Sequence, residues 1–199
     1  MAGPPGVRAV LGLGNPGSGY RRSRHNLGFM VLERLAERHG LRFRGAGAAL
    51  RLCSWRPGRS VPTVLLAKPT TYMNRSGRGA ALLRDDHSIR STEMLVVLDD
   101  IDLPFAKLRV RTRGGPGTHN GMRSVLAAVG DEEVPRLRLG IGPAPPEEDL
   151  ADLVLADFDP QAQVGLSPFV DEAADCVEEI VRSGVQAAMN RYNPAPPAG

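Results

Sequence analysis

The sequence predicts an α/β fold: a single domain on a mixed, twisted β-sheet flanked by helices on both faces. Three observations carry this expectation. Short apolar runs closed by glycine, proline or acid read as strands. Stretches with apolar residues at helical spacing lie between them. The two kinds do not alternate cleanly enough for an all-parallel sheet. With 199 residues, 42% of them apolar, the chain fits one domain with a buried core. That domain is expected over 1–193, with the proline-rich 194–199 as a disordered tail.

Each element follows from its local pattern. "RAVLGLG" is an apolar run closed by glycine, the first strand. "NLGFMVLERLAERHG" places Leu27, Met30, Val31 and Leu35 on one face and ends in Gly40, an amphipathic helix with a C-terminal glycine. "ALRLCSW" alternates and "PTVLLAKP" is apolar, two strands joined through "RPGRSVP". "NRSGRGAALLRDD" predicts a helix from just past Asn74, and "EMLVVLDD" a buried strand ending in acid. "KLRVRTR" alternates strictly, with Leu108, Val110 and Thr112 opposite Arg109, Arg111 and Arg113. The glycine-rich "GGPGTHNG" leads into the short helix "MRSVLAAVG", and "RLRLGIG" is a further alternating strand. From Pro143 runs a polar connection of about two dozen residues, a length typical of functional loops; it holds a short helix near Asp149–Leu155. "PFVDEAADCVEEIVRSGVQAAMNRY" reads as one last helix.

Composition narrows the function classes. The formal net charge is +3 and the pI about 9.2, which suits an anionic partner without requiring one. Only Lys68 and Lys107 of the 25 basic residues are lysine; a GC-rich coding bias accounts for most of that preference. Cys53 and Cys176 form no C-x-x-C and no disulfide framework, which points to a reduced compartment. The start "MAGPPGVRAV" lacks the apolar core of a signal peptide, and no apolar run approaches a membrane span. A cytoplasmic location is expected, or an organellar one if a transit segment has been removed.

"GLGNPG" matches G-x-G-x-x-G at Gly12, Gly14 and Gly17, the fingerprint of a dinucleotide turn. That turn needs a helix opening inside the pattern with its N–H groups on the pyrophosphate. Here Pro16 interrupts it, and the helix starts only near Asn26. The better reading is a strand end and tight loop that present Asn15 to a cleft. Three other polar clusters fall at similar places: Asn74 in "KPTTYMN", Asp99, Asp100 and Asp102 in "LDDIDLP", and His119 with Asn120 in "GTHNG". Ligands of α/β folds sit outside strand ends, so these residues converge on a polar site. His25, at the mouth of the first helix, is the natural general base, because an ordinary imidazole titrates near pH 6.5. A carboxylate beside it would fix its tautomer; from the residues alone Asp99, Asp100 and Asp102 all qualify. Ser18, Ser23 and Ser76 lie in no G-x-S-x-G elbow. His119 with His25 and Asp99 has no H-E-x-x-H or cysteine cluster behind it, so no metal is expected.

"GLGNPGSGYRRSRHNLGF", "KPTTYMNRSG", "LDDIDLPFAKLRVRTRGGPGTHNGMRS" and "LRLGIG" closely resemble the bacterial-type peptidyl-tRNA hydrolase family, in order, from about Val10 to Asn190. The resemblance implies one α/β domain and a monomer that uses neither metal nor cofactor. It implies hydrolysis of the ester between a peptide and its tRNA, which returns the tRNA to translation. It assigns His25 as the catalytic histidine, Asp99 as its acid and Asn15 to telling blocked from unblocked aminoacyl groups. Tyr20, Tyr72, Asn74 and Asn120 would contact the substrate, and Arg109, Arg111 and Arg138 the tRNA near its acceptor end. Two positions depart from the family pattern: Thr118 stands where a glycine usually precedes the histidine, and Pro143 where a basic residue usually follows "GIG". A β-branched residue resists positive φ, so the loop at Thr118 is expected to differ. The alternative is a non-catalytic RNA-binding protein on the same fold; His25, Asp99, Asn15, Asn74 and Asn120, all present, favour the enzyme.

Overall fold

The structure, a computed structural model, describes residues 6–143 and 149–193. The expected tail 194–199 lies outside the described residues, as does 144–148 of the polar connection. The elements follow as β1 Ala9–Gly12, α1 Leu27–Arg38, β2 Arg44–Ala46, β3 Leu50–Trp55, β4 Val64–Pro69, α2 Gly77–His87, β5 Met94–Pro104, β6 Leu108–Arg111, α3 Asn120–Val129, β7 Arg136–Gly142, α4 Leu150–Leu155, α5 Pro160–Ser183 and α6 Val185–Tyr192.

The strands form one seven-stranded sheet in the order β2-β3-β4-β1-β5-β7-β6. Its centre, β4-β1-β5-β7, is parallel, and its edges are antiparallel. Period-2 alternation splits the core in two. Val10, Leu95, Val97, Leu137 and Leu139 face α1, α5 and α6. Leu11, Met94, Val96 and Leu98 face α2 and α3. Helices on both faces of a mixed sheet are therefore what the sequence reading expected.

Three details differ from it. β2 was not anticipated; its three residues "RGA" carry no apolar signal, and Arg44 and Gly45 are exposed. The last helix is two helices, because Gly184 takes φ 91 between α5 and α6. α5 also begins eight residues before Pro168, at Pro160, with the Asp159 carboxylate accepting the Ala162 N–H at 2.8 Å.

The glycines of "GLGNPG" serve packing. A Cβ on Gly12 would lie 2.6 Å from the Gly28 carbonyl oxygen, and one on Gly14 would lie 2.6 Å from the Phe29 ring. A Cβ on Gly28 would meet the Val97 carbonyl at 2.4 Å and the Leu13 carbonyl at 2.6 Å. The N-terminal turn of α1 thus rests directly on the backbones of β1 and β5. Gly28→Ala is expected to destabilise the fold by about 1–3 kcal/mol, the usual range for overpacking. For a chain of this size that lowers Tm by roughly 2–12 °C. Thermal unfolding followed by circular dichroism measures it, and an unchanged Tm contradicts the packing argument.

Candidate active site

His25 sits in a 3-10 turn, Arg24–Asn26, that runs straight into α1. Asp99 lies near the exit of the buried part of β5. The His25 Nδ1 is 2.9 Å from both carboxylate oxygens of Asp99. The His119 Nε2 reaches the same carboxylate from the opposite loop, 3.0 Å from Oδ1. Asp99 is 2% exposed. Burial alone would push its carboxyl up, but the two imidazoles outweigh it and hold the group well below the usual carboxylate range. An ionised carboxylate only accepts hydrogen bonds, so both facing ring nitrogens donate. The His119 tautomer is fixed from its other side as well, because Nδ1 accepts the Met122 N–H at 3.1 Å. For His25, Nδ1 is taken by Asp99, and Nε2 is the nitrogen left for a reacting water.

His25, Asp99, His119, Asn120 and Arg138 line one cavity of about 340 Å³, closed on a further side by Leu150 and Val154 of α4. Among the described residues, His25, Asp99 and His119 are also the group whose donor atoms come close enough to surround an ion. Their separations of 2.9 and 3.0 Å are those of direct hydrogen bonds.

Asn15 and Asn26 bind each other reciprocally: the Asn15 N–H donates to Asn26 Oδ1 at 2.7 Å, and Asn26 Nδ2 donates to the Asn15 carbonyl at 2.9 Å. Asn15 Oδ1 accepts the Met73 N–H at 2.8 Å. The side-chain carbonyl of Asn15 is therefore spent inside the protein, which leaves Nδ2 as its open polar group. That makes Asn15 a donor to a carbonyl or a water. Asn15 lines a second cavity with Arg21, Phe29 and Lys68, not the one that His25 lines. Asn74 is exposed in the 3-10 turn Met73–Arg75, next to that anchor. Tyr20 meets Tyr72 edge-on at 6.4 Å, and Tyr72 is exposed. The Asn120 Oδ1 accepts from Arg123 Nη1 at 2.6 Å, which leaves its Nδ2 for other partners.

The arginines gather at the β6–β7 edge. Arg109 pairs across the ladder with Arg138, and Arg111 with Arg136, so all four start from one face of the sheet. Arg138 contacts the Asp100 carboxylate, whose group burial still pushes up. Arg111 is exposed. Arg136 is buried and donates to the carbonyls of Val134, Glu132, Gly114 and Gly115, pinning the loop that leads to His119. In that loop the positive φ values fall on Gly114 and Gly117, not on Thr118, so the β-branched residue is accommodated without strain.

The model of the family described as peptidyl-tRNA hydrolase matches residues 9–198. The chain belongs to the peptidyl-tRNA hydrolase family. A peptidyl-tRNA hydrolase of Chloroflexus aggregans is 51% identical over 188 residues, covering 93% of this chain and 98% of the relative. One of Nocardia farcinica is 46% identical, covering 97% and 100%. A crystal structure of peptidyl-tRNA hydrolase from Acinetobacter baumannii superposes with a TM-score of 0.84 at 32% identity, covering 96% of this chain and 97% of that one.

Two residues of this peptidyl-tRNA hydrolase site carry geometry the sequence reading did not give them. His119 was expected at the polar site with Asn120 and weighed as a metal ligand, but not as a second partner of Asp99. Asn26, adjacent to His25 in "RHN", holds the backbone of Asn15. Asn26→Leu strips partners from two buried backbone groups, at about 1–3 kcal/mol for each. Urea unfolding is expected to show a lower midpoint with unchanged slope; an unchanged midpoint means the pair is dispensable.

Proposed function

We propose that the chain hydrolyses the ester joining a peptide, or an N-acyl-aminoacyl group, to tRNA and so releases the tRNA for reuse in translation. The observation that carries this reading is the buried Asp99 carboxylate on His25 Nδ1 at 2.9 Å, beside a cavity that His25 lines. In this mechanism Nε2 removes a proton from a water whose oxygen attacks the ester carbonyl. Asp99 stabilises the imidazolium that forms. The Nδ2 of Asn120, which lines the same cavity as His25, is a donor suited to the developing oxyanion. Collapse breaks the bond to the ribose oxygen, which takes the proton back from the imidazolium. The products are a carboxylic acid and a tRNA with a free ribose hydroxyl, so the reaction as written uses neither metal nor cofactor. Tyr20, Tyr72 and Asn74 would contact the substrate, with Arg109, Arg111 and Arg138 on phosphates; such contacts position RNA more than they read its sequence. A monomer working in the cytoplasm suffices for this reaction.

Release of the acyl group from N-acetyl-aminoacyl-tRNA tests the reading directly. His25→Ala is expected to lower turnover by about 10²–10⁴-fold, the usual worth of a general base. Its affinity for deacylated tRNA stays within about twofold, because phosphate contacts dominate such binding. Wild-type binding without turnover would instead mark a non-catalytic RNA-binding protein.

Arg111→Glu is expected to weaken tRNA binding and to reduce the slope of log affinity against log salt by roughly one or more, since fewer counterions leave. Filter binding over a salt series measures the slope. An identical slope means that this face is merely solvated.

A further inference from the structure

Arg24 precedes the catalytic candidate His25 and faces away from it. Its backbone N–H donates to the Ala156 carbonyl at 3.1 Å. Its Nη1 donates to the Asp157 carbonyl at 2.9 Å, and its Nη2 lies 3.4 Å from an Asp159 carboxylate oxygen. The guanidinium carbon stands 5.4 Å over the ring of Phe158, which is buried against Phe105. Ser23 forms an antiparallel bridge with Asp157. One residue thus grips every position of 156–159, the joint between α4 and α5.

α4 has reason to need this grip. It is six residues long, far below the length at which a helix holds itself in water. Leu150 and Leu155 are 47% and 43% exposed, and Val154 is only partly buried against the core, so burial alone holds it weakly. Yet Leu150 and Val154, four residues apart on one face, wall the cavity that His25 lines.

We infer that Arg24 is a positioning residue: it fixes α4 against the His25 turn and so sets the apolar wall that receives the substrate's acyl group. This role rests on the hydrolase reading above. The side chain touches neither His25 nor Asp99, so its loss should alter binding more than chemistry. Arg24→Ala is expected to raise KM for N-acetyl-aminoacyl-tRNA by about five- to tenfold, with kcat reduced by less than about threefold. Leu150→Ala should raise KM too. The two effects should not multiply in the double variant, since both act through α4.

Hydrogen–deuterium exchange supplies a readout independent of activity. Exchange at 150–157 should quicken in Arg24→Ala while that in β5 stays as in the wild type. Should Arg24→Ala not fold, Arg24→Lys carries the test. Its single ammonium keeps the charge but loses the fork that reaches Asp157 and Asp159 together, so exchange quickens by less. Unchanged exchange at 150–157 in the folded variant overturns the inference. So does faster exchange throughout the sheet, a fall in kcat at constant KM, or KM effects that multiply. If the wild type releases no acyl group, the hydrolase reading fails, while the exchange comparison still decides whether Arg24 holds α4.

Discussion

Two backbone surfaces meet with no side chain between them where Gly28 of α1 lies on Gly12 of β1 and on the Val97 carbonyl of β5. The same Val97 carbonyl accepts the Leu13 N–H at 2.9 Å. His25 lies three residues before Gly28, and Asp99 two residues after Val97. The contact therefore sets the distance between base and acid. A side chain at position 28 would lift the helix from the sheet and carry the His25 turn with it. The other parts of the site hang from that seat: Asn26 begins the helix and grips Asn15, and Asn15 in turn grips Met73.

Charge is divided across the sheet by the same alternation that divides the core. Asp99 is turned to the imidazoles and Asp100 to Arg138. Adjacent carboxyls thus meet opposite fates. Asp99 has two donors and is held ionised; Asp100 has a half-buried arginine and is pushed toward protonation by burial. The acidic end of β5 thus serves the imidazole pair and the arginine edge without the two competing for one counter-charge.

Most of this fold was legible because its elements carry strong periodic signals. β1, β4 and β5 are apolar runs, and α1 and α3 present clear apolar faces. β2 had no such signal, since pairing with β3 rather than burial makes it a strand. The Gly184 break was hidden because apolar spacing continues through it, and Pro168 inside α5 read as a beginning. At the site, residue types and family resemblance named His25, Asp99 and the asparagines. They could not give orientation. Which atom of the Asn15 amide is left open is decided by the Met73 N–H, 58 residues away in sequence. The second partner of Asp99, His119, depends on a loop pinned by Arg136, an arginine the sequence reading did not single out.

The pinning of that loop has a consequence for small-molecule inhibitors. A compound filling the cavity meets unlike walls. The His119 side is tied down by Arg136 at two main-chain carbonyls of its loop, those of Gly114 and Gly115. The α4 side is a short, half-exposed helix held through its C-terminal joint with Arg24. Polar groups aimed at His119 and Asn120 gain from a preorganised surface and lose little entropy on binding. Apolar groups aimed at Leu150 and Val154 meet a wall whose hold lies at one end, in the Arg24 joint. Potency is therefore best built from the loop side.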